Sequence, residues 1–281
     1  MLAETDRLFT SLVPSQIAIF SGAQEGVLSP TARLFLQSAL TAVPFVILAL
    51  PALGGGQRRW VRWVPAIAAL AFLYCLAEYL PVVWPPARLF RGEWNWTGKT
   101  YGIAVSLIAV GALARSRIFS PGTDFGLTFA QAPATMRVIF VGVVPFLALI
   151  GLVNRASGFI PQRPDLETWL FQSTMPGIDE ELFFRGLMFA LFDRIFPTIT
   201  FKALGARIGY GALATAVAFG ASHSVSLARD ATVHFYWMPA VFTGAIGLFL
   251  SWLRARTGSL LLPVITHNAV DIVGFLVAAL R

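Results

Sequence analysis

Residues 138–153 read Val-Ile-Phe-Val-Gly-Val-Val-Pro-Phe-Leu-Ala-Leu-Ile-Gly-Leu-Val, without a single charge. With its flanks, 136–154, the run has the length and polarity of a helix that crosses a hydrocarbon layer, which takes about 20 residues. Similar runs recur along the whole chain, separated by short basic or Pro/Gly-rich connections. They predict eight membrane helices, at 32–53, 60–83, 100–115, 136–154, 166–192, 206–227, 236–253 and 259–280. The 281 residues are 57% hydrophobic and 12% charged, with a mean hydropathy of +0.72. A soluble domain carries about 25% charged residues. The expected fold class is therefore all-α, a polytopic membrane helical bundle, with the lipid bilayer as its solvent.

The third helix is short. The fifth is long and contains Pro176-Gly177, which should kink or break it. Residues 1–30 mix Glu4, Asp6, Arg7, Gln24 and Glu25 with short apolar pieces, and are expected to form a surface segment at one membrane face. They lack a basic region followed by an apolar stretch and a cleavage site, so the first span reads as an uncleaved helix. Three parts follow: residues 1–30, N-terminal transmembrane helices over 31–160, and a helical core over 161–281.

The eight tryptophans, Trp60, Trp63, Trp84, Trp94, Trp96, Trp169, Trp237 and Trp252, all fall at or near expected helix ends, as an aromatic belt requires. The formal charge of +7 does not indicate nucleic acid, because the basic residues are dispersed between apolar spans and form no single patch. Basic residues after the first, third, fifth and seventh helices lean towards a cytoplasmic side for those connections, with both termini outside. Cys75 is the only cysteine, which excludes an intrachain disulfide, and reads as a small buried hydrophobe.

Ionisable residues inside membrane helices need a reason, since insertion of one Asp, Arg or Lys at a helix centre costs about 2.5–3.5 kcal/mol. The fifth helix carries Asp179-Glu180-Glu181-Leu182-Phe183-Phe184-Arg185-Gly186. The sixth carries Phe219-Gly220-Ala221-Ser222-His223, and the eighth His267-Asn268-Ala269-Val270-Asp271. Glu181 and Arg185 are four apart, so they share a face in the acid-before-base order that favours an ion pair. Glu180 points about 100° away and lacks that partner. His267 and Asp271 likewise share a face, and His223 must arrive from another helix. A carboxylate beside an imidazole in a dry pocket is a general-base pair, and a second polar pair could stabilise an oxyanion. No G-x-S-x-G motif is present.

The three ordered motifs, with Arg256-Thr-Gly-Ser-Leu-Leu-Leu-Pro263 leading into the last, resemble those of the CAAX-protease and bacteriocin-processing family (CPBP, or Abi), over about residues 165–280. The resemblance implies a glutamate-dependent intramembrane endopeptidase acting on a membrane-associated protein or peptide, without a metal or other cofactor, in a bacterial inner membrane; prenylated CAAX substrates belong to the family's eukaryotic branch and are not implied for this chain. It implies that Glu180 activates water with His223, that His267 and Asp271 line the oxyanion side, and that Glu181 and Arg185 support them. The family often has Asn at the last position. An ionised Asp271 cannot donate a hydrogen bond, so either it is protonated, or it orients His267, or Asn268 supplies the donor.

Other readings of these residues are a zinc protease using one Glu and two His, a non-catalytic immunity or scaffold protein, a proton-coupled carrier, which should show repeated halves that the sequence lacks, and a polar network that only glues helices together. Glue is worth just ~0.6–2 kcal/mol per bond, less than the insertion cost. Three further assignments complete the reading. His234 is expected to be interfacial, Glu78 to snorkel to the interface or else to line the cavity, and Asp179 to cap the half-helix after Pro176-Gly177 in preference to tuning Glu180.

Overall fold

The computed structural model describes residues 27–53, 63–156 and 164–279. Trp60, the Arg58–Arg62 cluster and nearly all of the segment expected over 1–30 lie outside the described residues. Helix dominates. Helix α1 covers Pro30–Ala49 and continues as a 3₁₀ turn to Leu53. Helix α2 covers Trp63–Val83 and α3 Trp96–Arg115. Helix α4 spans Thr135–Ala156, with a π-helical stretch at Ile139–Val143. Helix α5 is Leu166–Gln172. Helix α6 covers 175–195 as Met175–Glu181, a π-helical Leu182–Met188 and Phe189–Ile195. Helix α7 is Tyr210–Ser222, α8 Trp237–Thr257 and α9 Leu261–Ala279.

Five of these units are long and apolar enough to cross a membrane: Pro30–Leu53, α2, α3, α4 and α8. Helices α7 and α9 are shorter apolar helices. The apolar surface of α4 faces outward, with Phe140 71% and Val141 70% exposed, as expected of side chains that meet lipid. The bundle is laid out around α6. Every residue from Glu181 to Phe192 is buried, because α6 contacts α3, α7 and α9. Helix α2 packs on α1 and α3, α1 on α7, α7 on α8, and α9 on α4. The largest apolar cluster joins Phe45 of α1, Ile67 and Tyr74 of α2, Phe183, Phe184 and Phe192 of α6, and Phe219 of α7.

Three details differ from the sequence expectation. The expected fifth helix is broken at Ser173-Thr174, and Pro176 sits in the first turn of α6, where a missing N–H costs nothing. The expected sixth helix is only α7. Its ends are occupied by two β-hairpins, β1 (Thr200–Ala203) with β2 (Ala206–Gly209), and β3 (Val225–Leu227) with β4 (Val233–Phe235). The third helix starts four residues earlier than expected, at Trp96, which brings Lys99 into its first turns.

Two tryptophans do more than line a membrane boundary. Trp94 donates through Nε1 to Thr168, and Trp96 through Nε1 to Glu167. Both rings pack on Phe171 at 5.1 Å. The start of α3 is thereby tied to α5. Cys75 is buried and free, and His234 is exposed on β4, its ring stacked with Tyr236.

Candidate active site

Helix α6 presents its carboxylates in three directions. Glu181 is fully buried and bonded to Arg185, whose Nη1 donates to Oε1 at 2.8 Å; Arg185 is itself fully buried. Four-residue spacing brings the two together on one side of the helix. The same Glu181 Oε1 lies 2.7 Å from Nδ1 of His267. A carboxylate oxygen only accepts, so Nδ1 is the donor. One glutamate therefore fixes both a guanidinium on its own helix and an imidazole on α9.

Glu180 turns to the other side. Its Oε1 accepts from Lys99 Nζ at 2.7 Å. Its Oε2 makes no hydrogen bond to the protein among the described residues, yet two imidazoles face it: His223 Nε2 at 3.6 Å and His267 Nε2 at 3.8 Å. His267 Nε2 is also 3.8 Å from Asp271 Oδ2. His223 stands at the C-terminal end of α7, and its Nδ1 lies 2.8 Å from the Phe219 carbonyl. That carbonyl can only accept, which puts the proton on Nδ1 and leaves Nε2 of a neutral ring with a lone pair towards Glu180. Exposure grades across the group: the side chains of His267, Glu180, Asp271 and His223 are 7%, 12%, 24% and 35% exposed. The site thus has a closed floor and an open rim at His223 and Asp271.

Phe219 holds the rings apart. The Arg185 guanidinium lies over it at 4.3 Å, His223 packs on it at 4.4 Å, and His267 meets it edge-on at 5.7 Å. Asn268 does not reach the reacting groups. Its Oδ1 accepts from the Gly177 N–H at 2.7 Å and its Nδ2 donates to the Thr174 carbonyl. It staples α9 to the break before α6. Gly177 is required there, because a Cβ would lie 2.5 Å from Asn268 Oδ1 and 2.7 Å from the Val264 carbonyl.

Two expectations are corrected. Glu78 does not snorkel: it is buried, and its Oε1 lies 2.7 Å from Lys99 Nζ. Asp179 does not cap α6. It is the fifth residue of that helix, fully buried, and accepts from Tyr74 Oη at 2.7 Å and Lys99 Nζ at 3.0 Å. Lys99 itself escaped the sequence reading. It was adjacent to an expected helix start, where a lysine ordinarily reaches for the headgroups.

Among the described residues, no three His, Cys, Asp or Glu side chains are arranged to hold a metal ion. A family model described as type II CAAX prenyl endopeptidase Rce1-like matches residues 162–273. The match covers all three motifs and bears out the resemblance to the CPBP family. It supports an integral-membrane protease, a hydrolase embedded in the bilayer. No curated protein and no solved structure gives a significant match to the chain.

Proposed function

From the premise that residues 162–273 are a CAAX-protease segment of the Rce1-like family, we propose that the protein is a glutamate-dependent endopeptidase that hydrolyses a peptide bond of a membrane-associated protein or peptide. The reading is carried by one observation. Glu180 Oε2 has no protein hydrogen bond, while its partner oxygen and Nδ1 of both facing imidazoles are engaged elsewhere. Gaps of 3.6 and 3.8 Å suit a water that bridges polar groups too far apart to bond directly.

The steps then follow from the donors and acceptors. The water gives one hydrogen bond to Glu180 Oε2 and one to His223 Nε2. As its oxygen bonds to the scissile carbonyl carbon, Glu180 takes the proton. The carbonyl oxygen becomes an oxyanion and accepts from His267 Nε2, a ring that carries a proton on each nitrogen in this reading. Asp271 orients His267 and offsets its charge, so it need not be protonated, and Asn268 serves the helix junction. Glu180 returns its proton to the amine as the carbon–nitrogen bond breaks, leaving a carboxylic acid and an amine. General-base transfer of this kind contributes about 10²–10⁴-fold in rate, and one oxyanion donor about 10²–10³-fold. The proposed setting is a bacterial inner membrane, with the rim at His223 and Asp271 receiving the substrate.

The test uses the full chain in lipid nanodiscs and an internally quenched, farnesylated CAAX peptide, the class that the family description names. Wild type should cleave it, and Glu180→Gln should lose at least ~100-fold in kcat. Full activity in Glu180→Gln sinks the mechanism. Activity lost to a chelator and restored by zinc would transfer the same residues to a metal site.

A further inference from the structure

Lys99 is a buried lysine at the start of α3, outside the segment that the family model matches. Its ammonium donates to Glu180 Oε1 at 2.7 Å and Asp179 Oδ2 at 3.0 Å, and Glu78 Oε1 lies 2.7 Å away as an ion-pair partner without a hydrogen bond. Tyr74, one helical turn before Glu78, donates to the same Asp179 oxygen. Gly102, one turn beyond Lys99, admits the aspartate: a Cβ there would lie 2.5 Å from Asp179 Oδ1.

We propose that Lys99 is a positioning residue for the reacting carboxylate. It seizes Oε1 of Glu180, keeps that group ionised, and leaves Oε2 as the only oxygen presented to His223 and His267. Glu78, Asp179 and Tyr74 form the cradle that holds the ammonium in place. The proposal rests on the reading of Glu180 as the base.

Two measurements on the full chain in nanodiscs test it. The first needs no substrate: a lipid-soluble carbodiimide adds to a protonated buried carboxyl and ends as a stable N-acylurea, located by peptide mass spectrometry. At neutral pH, Glu180 in wild type should stay unlabelled, and Lys99→Met should become labelled at Glu180. The second is turnover of the quenched peptide. Lys99→Met should lose at least ~100-fold in kcat, the scale of general-base catalysis, with KM changed less than ~3-fold, because bound substrate is not touched.

Lys99→Met removes a buried cation and can fail to fold, so the second variant is Lys99→Met with Glu78→Gln, which removes one charge of each sign. It should fold, remain labelled at Glu180 and stay slow. Recovery of wild-type kcat in that double variant overturns the proposal, as does equal labelling of Glu180 in wild type and Lys99→Met. A wild type that cleaves no peptide counts against the proposed function alone, since the labelling comparison still decides the role of Lys99.

Discussion

The sharpest contrast among single residues is between neighbours 180 and 181. Spacing alone separates them, since only Glu181 can reach Arg185 on its own helix, and the fold joins that pair at 2.8 Å. Spacing could not show that Glu181 also holds His267, because that contact spans 86 positions. Lys99 was hidden for the same reason, being 80 and 81 positions from Asp179 and Glu180. Removing one member of a fully buried ion pair costs about 3–5 kcal/mol, so Arg185→Met should lower the unfolding midpoint by an amount equivalent to that. Glu181→Leu combined with Arg185→Met leaves no lone buried charge and should regain most of the stability. Turnover should stay low in the double variant, because His267 Nδ1 has lost its acceptor. Thermal unfolding and peptide cleavage on the same preparations separate the two effects, and wild-type turnover in the double variant would remove Glu181 from the site.

Among the elements, the apolar spans were readable because hydrophobic length is a local property. The hairpins were not. The β1–β2 turn places Leu204 and Gly205 at φ of 48° and 76°, and leucine carries none of the turn signal that Asn-Gly would. Residues 206–209 therefore read as the start of an apolar helix. The break before α6 shows the opposite case: Pro176-Gly177 announces a disruption, but its position depends on Asn268, 91 residues away. Gly177→Ala tests that joint. The added methyl must displace Asn268 or the α9 backbone, an overpacking cost of about 1–3 kcal/mol. A shift of about 1 Å at His267 should lower kcat by about 10²-fold, while Gly177→Ala still inserts and purifies. Unchanged kcat would mean that the α6–α9 joint does not set the site.

At the scale of the whole molecule, the motif-bearing segment does not supply the cation that Glu180 bonds to. All three motifs lie within 162–273, but the cation bound to Glu180 comes from α3 and is steadied from α2. Expressing 157–281 alone should give a membrane-inserted fragment with no peptide cleavage, although every motif is present. Co-expression of 1–156 should restore measurable turnover. Cleavage by the isolated fragment would show that the first half is dispensable.

The placement of Lys99 has a consequence for how the protein is made. A chain is synthesised from its N-terminus, and early segments settle before later ones emerge. Helices α2 and α3 are therefore expected to enter the bilayer before residues 175–195 leave the ribosome. When Asp179 and Glu180 enter the lipid, their counter-ion is already waiting at the depth where they must stop. The most acidic helix of the bundle is in this way received by its predecessors, and the order of the genetic message becomes part of how the membrane tolerates it.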